Sequence, residues 1–197
     1  MKYVIVGLGN PGEDYAQTRH NTGFMVLDAF RSSSKFSDWH EDGKINAIVS
    51  KGKIENNDVT LVLPQTYMNK SGNSVKKVVT SKKAAERLVV VYDELDIPLG
   101  SLKISFSRSS GGHNGVESII KALGTKDFIR MRVGVSPATS KGKAKKPKGE
   151  KAVLDFLMKD FRKPELEMLK TIFKKITTPA LETIVEKGRV AAMNAFN

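Results

Sequence analysis

Tyr3-Val4-Ile5-Val6 is an apolar, mostly β-branched run that stops at Gly7, the pattern of a buried strand. Leu88-Val89-Val90-Val91-Tyr92 is a second continuous run and predicts a central strand covered on both faces, ending at Asp93. Ile45 to Val49 and Val59 to Leu63 read as two more strands, joined by Asn56-Asn57-Asp58, with Pro64 stopping the second. Leu102 to Phe106 and Arg130 to Val135 alternate, as half-exposed strands do. Helical spacing takes over between them. Thr22 is placed to cap a helix carrying Phe24, Met25, Leu27, Ala29 and Phe30. Met68 to Val79 and Val116 to Leu123 read as helices, as does Leu166 to Ile176 after Pro164. Leu181 to Phe196, after Pro179, reads as one last amphipathic helix. Strands and helices interleave. The prediction is α/β: one domain over residues 1–197, a twisted mixed (mostly parallel) β-sheet flanked by α-helices.

One stretch has no such pattern. From Ser140 to Lys151 nothing apolar is larger than Ala144, and lysines dominate. A basic mobile loop at about 138–151 is expected, followed by a helical C-terminal region over 152–197. It is either a solvated insertion or a lid that contacts phosphates.

Charge changes the picture more than composition does. Lys and Arg number 33 against 21 Asp and Glu, a net charge of +12, which points to a polyanionic partner. The absence of cysteine excludes disulfides, thiolate metal sites and a cysteine nucleophile, and fits a reducing cytoplasm. The first apolar run is too short for a signal peptide, and no run reaches the roughly 18 residues of a membrane span. A cytoplasmic protein without membrane contact is expected.

Four short blocks then set an Asn or His among glycines: Gly7-Leu8-Gly9-Asn10-Pro11-Gly12, Thr18-Arg19-His20-Asn21-Thr22-Gly23, Tyr67-Met68-Asn69-Lys70-Ser71-Gly72 and Gly111-Gly112-His113-Asn114-Gly115. Glycine permits sharp turns and close approach, and Asn offers donors and an acceptor with no charge to desolvate. Such loops suit a polar cleft that grips an amide or ester carbonyl. The first block also fits the dinucleotide pattern G-x-G-x-x-G. Pro11 interrupts it, however, and no acidic residue ends a second strand about twenty positions on. The glycines are better read as placing Asn10 at the C-terminal edge of a strand.

There are three histidines. His40 lies in a polar stretch and reads as a surface residue; His20 and His113 lie in glycine-rich loops. Asp93 would reach the same sheet edge as Asn10. A carboxylate on one imidazole nitrogen fixes the tautomer and makes the other nitrogen a better base. Ser71 and Ser110 are candidate nucleophiles, but neither sits in G-x-S-x-G. A His–Asp pair without a nucleophile predicts direct activation of water. Asp93, Glu94 and Asp96 could gather around Mg²⁺; a strand end before the turn at Pro98-Leu99-Gly100 is the preferred reading, and no metal is expected.

Taken in order, GLGNPG, TRHNTGF, YMNKSG, YDELDIPLG and GGHNG closely resemble the bacterial-type peptidyl-tRNA hydrolase family. The resemblance runs from Lys2 to about Arg132, with a weaker echo in Ala152 to Leu157. It implies cleavage of the ester between a peptide and the 3′ ribose of tRNA, with peptidyl-tRNA as the partner; no cofactor is expected, and although the sequence does not fix the oligomeric state, a monomer is expected. The resemblance implies His20 as catalytic base, Asp93 as its orienting partner, and Asn10 holding the substrate end in register. Asn69 and Asn114 would hydrogen-bond the peptide main chain or the water, with Met68 as an apolar wall. Tyr15, Asn21, Tyr67 and His113 would complete the substrate-binding set, Asn21 and His113 on the tRNA side.

For the tRNA 5′ phosphate the resemblance implies Lys103 and Arg132. A lysine frequent in that stretch is Ser105 here, and Arg108 stands where glycines are usual, so Arg108 and the basic loop are expected to compensate. Two other readings compete: a non-catalytic RNA-binding protein on the same fold, and a nucleotide-binding protein built on Gly7 to Gly12.

Overall fold

The computed structural model describes all of residues 1–197. Seven strands form one mixed sheet in the order β2-β3-β4-β1-β5-β7-β6. They are β1 (Lys2–Gly7), β2 (His40–Asp42), β3 (Ala47–Ile54), β4 (Asn57–Pro64), β5 (Leu88–Pro98), β6 (Leu102–Phe106) and β7 (Ile129–Ser136). The central four, β4, β1, β5 and β7, run parallel. β2 and β3 extend one side antiparallel, and β6 closes the other against β7. The predicted mixed, mostly parallel sheet is what the chain forms.

Period-two alternation divides the core between the faces. Ile5, Val89 and Val91 pack on one face with Val26, Leu27 and Phe30 of α1 (Thr22–Ser33) and with the C-terminal helices. Val6, Val90 and Tyr92 pack on the other, against Val75 of α2 (Gly72–Val78) and Val116 and Ile119 of α4 (Asn114–Leu123). A short helix α3 (Lys82–Ala85), capped by the Ser81 hydroxyl, leads into β5.

Several boundaries differ from the sequence reading, each for a physical reason. Thr22 is the first residue of α1 and not its cap: Asn21 holds the cap position, and the Thr22 hydroxyl donates back to Arg19 O at 2.7 Å. The third strand starts at Ala47, not Ile45, and runs to Ile54, since its exposed lysines are paired with β4 through the backbone. The helix expected over Met68 to Val79 is a 3₁₀ turn, Met68–Lys70, then α2. β5 does not stop at Asp93; pairing with β7 carries it to Pro98, with an irregularity between Glu94 and Pro98. The last predicted helix is two, α7 (Thr178–Lys187) and α8 (Arg189–Phe196), broken where Gly188 takes φ 84°. The lysine-rich segment folds back through an Ala138–Ala144 bridge, and Lys146 reaches Asp96. Its last two residues, Glu150 and Lys151, already belong to α5 (Glu150–Leu157).

The motif glycines serve contact between elements as much as turns. A Cβ on Gly23 would lie 2.3 Å from Val91 O and 2.4 Å from Leu8 N, so α1 can cross the strand ends only with glycine there. A Cβ on Gly72 would meet Ser118 O at 2.2 Å, where α2 crosses α4. These approaches lock the site-bearing loops to the sheet edge.

A buried ion pair fastens the loop before α1 to the C-terminal region. Arg19 donates to Glu165 Oε2 at 3.0 Å and to the carbonyls of Lys159 and Asp160, with its guanidinium over the rings of Phe156 and Phe161. Glu165 lies on α6 (Lys163–Ile172), and both partners are buried. Removing one partner strands the other charge. Glu165→Ala should therefore lower unfolding free energy by about 3 kcal/mol, read as a drop in urea midpoint at unchanged slope.

Candidate active site

The C-terminal edge of a parallel sheet is where open α/β folds gather ligands. Here Asn10 follows β1, Met68 follows β4, Asp93 lies in β5, and His20 enters from the 3₁₀ turn Arg19–Asn21 that leads into α1. Asp93 is buried at 3% exposure, and its Oδ1 accepts from two imidazoles. His20 Nδ1 lies 2.9 Å away and His113 Nε2 3.1 Å away. The two rings are 5.2 Å apart between centroids, and Tyr92 packs edge-on against His113 at 4.7 Å.

The tautomers follow from the partners. His113 is the cap of α4, and its Nδ1 accepts from Val116 N at 3.3 Å, so its proton is on Nε2 and faces Asp93. His20 donates from Nδ1, which leaves the Nε2 lone pair free. Burial alone would lower the pKa of His20; the charge and hydrogen bond of Asp93 outweigh it and raise the pKa above the ordinary imidazole value. Burial alone would likewise raise Asp93, but the two imidazoles hold it well below the usual carboxylate range. Asp93 is thus a fixed anion, and the free nitrogen of His20 is a base of increased strength.

Asn10 is held with similar care. Its backbone N–H donates to Asn21 Oδ1 and its carbonyl accepts from Asn21 Nδ2, both at 2.9 Å. Its side-chain Oδ1 accepts from Met68 N at 2.9 Å. That bond fixes the amide orientation and turns Nδ2 outward, with only the Met158 sulfur at 4.0 Å as protein partner. Asn21, expected as a substrate contact, is 1% exposed and engaged at both ends of its amide. It positions Asn10. Asn69 and Asn114 are exposed, and neither amide makes a hydrogen bond within the protein. Tyr67 is 58% exposed, Met68 is buried, and Tyr15 is half-buried in the turn Glu13–Tyr15. Only the three-residue 3₁₀ turn Glu13–Tyr15 follows Gly12, with no α-helix to receive a pyrophosphate, so the dinucleotide geometry is not formed.

Other candidates are put to different use. Ser71 is fully buried and donates to Met68 O. The acidic trio disperses: Asp93 to the histidines, Glu94 to Arg132 at 3.5 Å and Asp96 to Lys146. The side chains best placed to hold a metal are His20, Asp93 and His113, whose ligand atoms lie within 4.8 Å of one another. An ion there would have to displace both N–H···O bonds on Asp93.

Next to this constellation lies a cationic cavity of about 470 Å³ whose walls include Arg108, Arg130, Arg132, Ser105 and Tyr92. β6 and β7 put Lys103 opposite Arg132 and Ser105 opposite Arg130, so all four project from the same face. Arg130 is 2% exposed and donates to Ser109 O. The Ser105 hydroxyl and the Nε atoms of Arg130 and Arg132 are buried without a protein partner. Burial pushes Tyr92 up to about 12, despite the pull of Arg130, so its phenol stays protonated. Sequence reading missed Arg130, which looked like a strand residue, and missed the bond from His113 to Asp93. The first signal was present as an arginine at an inward strand position; the second exists only in three dimensions.

Residues 4–197 match the family model described as Peptidyl-tRNA hydrolase. The chain is 39% identical over 195 residues to the peptidyl-tRNA hydrolase of Syntrophotalea carbinolica, covering 98% of this chain and 96% of that one. It is 41% identical over 199 residues to that of Thermodesulfovibrio yellowstonii, covering 98% of each. Among solved structures, it superposes on peptidyl-tRNA hydrolase from Acinetobacter baumannii with a TM-score of 0.85 and 30% identity, over 98% of this chain and 92% of that chain. With a match of this extent, the chain belongs to the peptidyl-tRNA hydrolase family.

Proposed function

We propose that the protein hydrolyses the ester joining a peptide to the 3′ ribose of tRNA, with His20 as base and without a metal. The observation that carries this reading is the free Nε2 of His20, held opposite an Nδ1–Asp93 bond beside the outward amide of Asn10. Nε2 takes a proton from water as its oxygen bonds to the ester carbonyl carbon. The carbonyl oxygen gains negative charge and is met by Asn10 Nδ2, with Asn69 or Asn114 as a further donor. Collapse breaks the bond to the ribose oxygen, which receives the proton from His20. The neutral amides also suit main-chain recognition of a peptide of any sequence. Tyr15, Tyr67 and Met68 flank the peptide end, and His113 acts through Asp93. We read the protein as a cytoplasmic monomer; no helix is long and apolar enough to cross a membrane.

Incubation with an N-acetylated aminoacyl-tRNA tests the reading. Release of the acetylated amino acid should survive excess EDTA at full rate; loss of activity restored by a divalent ion would instead put a metal on His20, Asp93 and His113.

Arg132 in the cationic cavity, with Lys103 outside its walls but opposite it in the β6–β7 register, supports a seat for the tRNA 5′ phosphate, with Arg108 and Arg130 supplying the charge that Ser105 lacks. Arg108 is exposed at the cavity mouth, so removing it spares the core. Arg108→Ala should raise KM for tRNA substrates several-fold and reduce the slope of log affinity against log salt by about 0.7–0.9. An unchanged slope would remove Arg108 from the contact.

A further inference from the structure

A groove of about 370 Å³ lies on the opposite side of the Asn10 loop from the cationic cavity. Its apolar walls are Pro11, Phe24 and Met25 of α1, Trp39, Ile48 of β3 and Leu63 of β4. Ile48 and Leu63 are register partners, so they form one continuous surface on the sheet. Trp39 is fixed by its indole N–H, which donates to Asp28 Oδ1 at 2.9 Å, and by Arg31 at 5.9 Å from the ring. Phe24 lies against Gly9, where a Cβ would touch its ring at 2.7 Å. The groove is therefore built against the same loop that presents Asn10.

Its charge separates it from the RNA. The chain carries +12, yet no Lys or Arg lines this groove, and its one charged lining residue is Asp28. The guanidinium beside the groove, that of Arg31 over Trp39, is paired with Asp28 and Asp38, so the groove offers a polyanion little. An uncharged chain that leaves the ester and passes Asn10 would meet apolar walls, because Asn10 itself borders the groove. Ala16, Met25 and Asp28 also border a second depression, of about 730 Å³, which continues toward Leu166 and Phe173. The path thus runs on along α1.

We propose that this groove is a subsite for the nascent peptide, taking apolar side chains of residues upstream of the esterified one. The proposal rests on the hydrolase reading above. An extended chain advances about 3.3–3.6 Å per residue, so a single acylated residue stays near the ester while a longer peptide reaches the groove. Met25 and the aromatic walls can accommodate varied side chains, which gives a preference for apolar peptides and not a sequence motif.

Three substrates test it: N-acetyl-glycyl-tRNA, and two N-acetyl-tetrapeptidyl-tRNAs ending in glycine, with three leucines or three aspartates upstream. The leucine substrate should exceed the aspartate substrate in kcat/KM by about tenfold. Trp39→Ala and Ile48→Ser, two separate variants with thermal unfolding checked, should each cut that preference at least threefold. Trp39 is the only tryptophan in the chain, so it also reports directly. Its emission should shift to the blue, saturably, when His20→Ala protein binds the leucine substrate, and should not shift with N-acetyl-glycyl-tRNA. No preference in the wild type, or a preference untouched by both variants with a silent Trp39, would overturn the subsite while leaving the hydrolase reading intact. Absence of hydrolysis of all three substrates by the wild type would overturn the hydrolase reading and the subsite with it.

Discussion

His20→Ala lowers kcat for release of an N-acetylated amino acid from tRNA by about 10²–10⁴-fold, the range a positioned general base supplies. The expectation is specific because no other side chain duplicates this nitrogen. His113 has both ring nitrogens committed, one to Val116 N and one to Asp93. Ser71 is buried and hydrogen-bonded. Affinity for tRNA should be nearly unchanged, since the cationic cavity is lined by other residues. A filter-binding measurement beside single-turnover kinetics separates the two effects. Loss of binding equal to the loss of rate would mean that His20 serves only to hold substrate.

Asp93→Asn is expected to cost about 10²–10⁴-fold, and it carries a second signature. Asn is close to isosteric and keeps one oxygen that can accept from both imidazoles. What it removes is the negative charge. Burial then acts on His20 with no opposing anion, so the imidazole pKa falls below its wild-type position. The sign for catalysis is direct: neutral His20 is the active form, so activity rises with pH through the His20 pKa. In the wild type that rise lies above the ordinary imidazole value near 6.5; in Asp93→Asn it moves to lower pH while the plateau drops. A variant that simply unfolds would lose the plateau with no shift of the limb. His113→Ala should show a milder form of the reverse effect. It frees Asp93 Oδ1 for His20 alone and so should retain much of the activity.

Much of the fold was legible because its strands are short apolar runs with clear stops. β1 and the first half of β5 follow from Tyr3 to Val6 and from Leu88 to Tyr92, and α1 and α4 follow from 3.6-residue spacing. The misses share a cause, which is tertiary pairing overriding local pattern. β5 runs past Asp93 because β7 offers it partners, and β3 carries exposed lysines because β4 does. Gly188 breaks the last helix by adopting a left-handed φ that spacing of apolar residues cannot reveal.

The site followed the same logic. Asn10 and Asp93 could be expected at one sheet edge because each follows an apolar strand run, whereas the choice of His20 over His113 as base came only from the family resemblance. The sharing of one carboxylate oxygen by two imidazoles could not be read, since His20 and His113 are brought together only by α1 and α4 crossing opposite faces of β5. Asn21 illustrates the limit. As a polar residue beside His20 it looked like a substrate contact, and the fold spends both ends of its amide on the Asn10 backbone.

The most direct measurement combines two titrations. Single-turnover hydrolysis of N-acetylated aminoacyl-tRNA is followed from pH 5 to 8.5, with the uncatalysed rate subtracted, and the His20 ring is titrated by NMR in the same protein. The kinetic midpoint and the His20 midpoint should coincide above 6.5, and both should move down together in Asp93→Asn. A flat rate profile under these conditions, or a limb that persists unshifted in His20→Ala, would contradict activation of water by this imidazole.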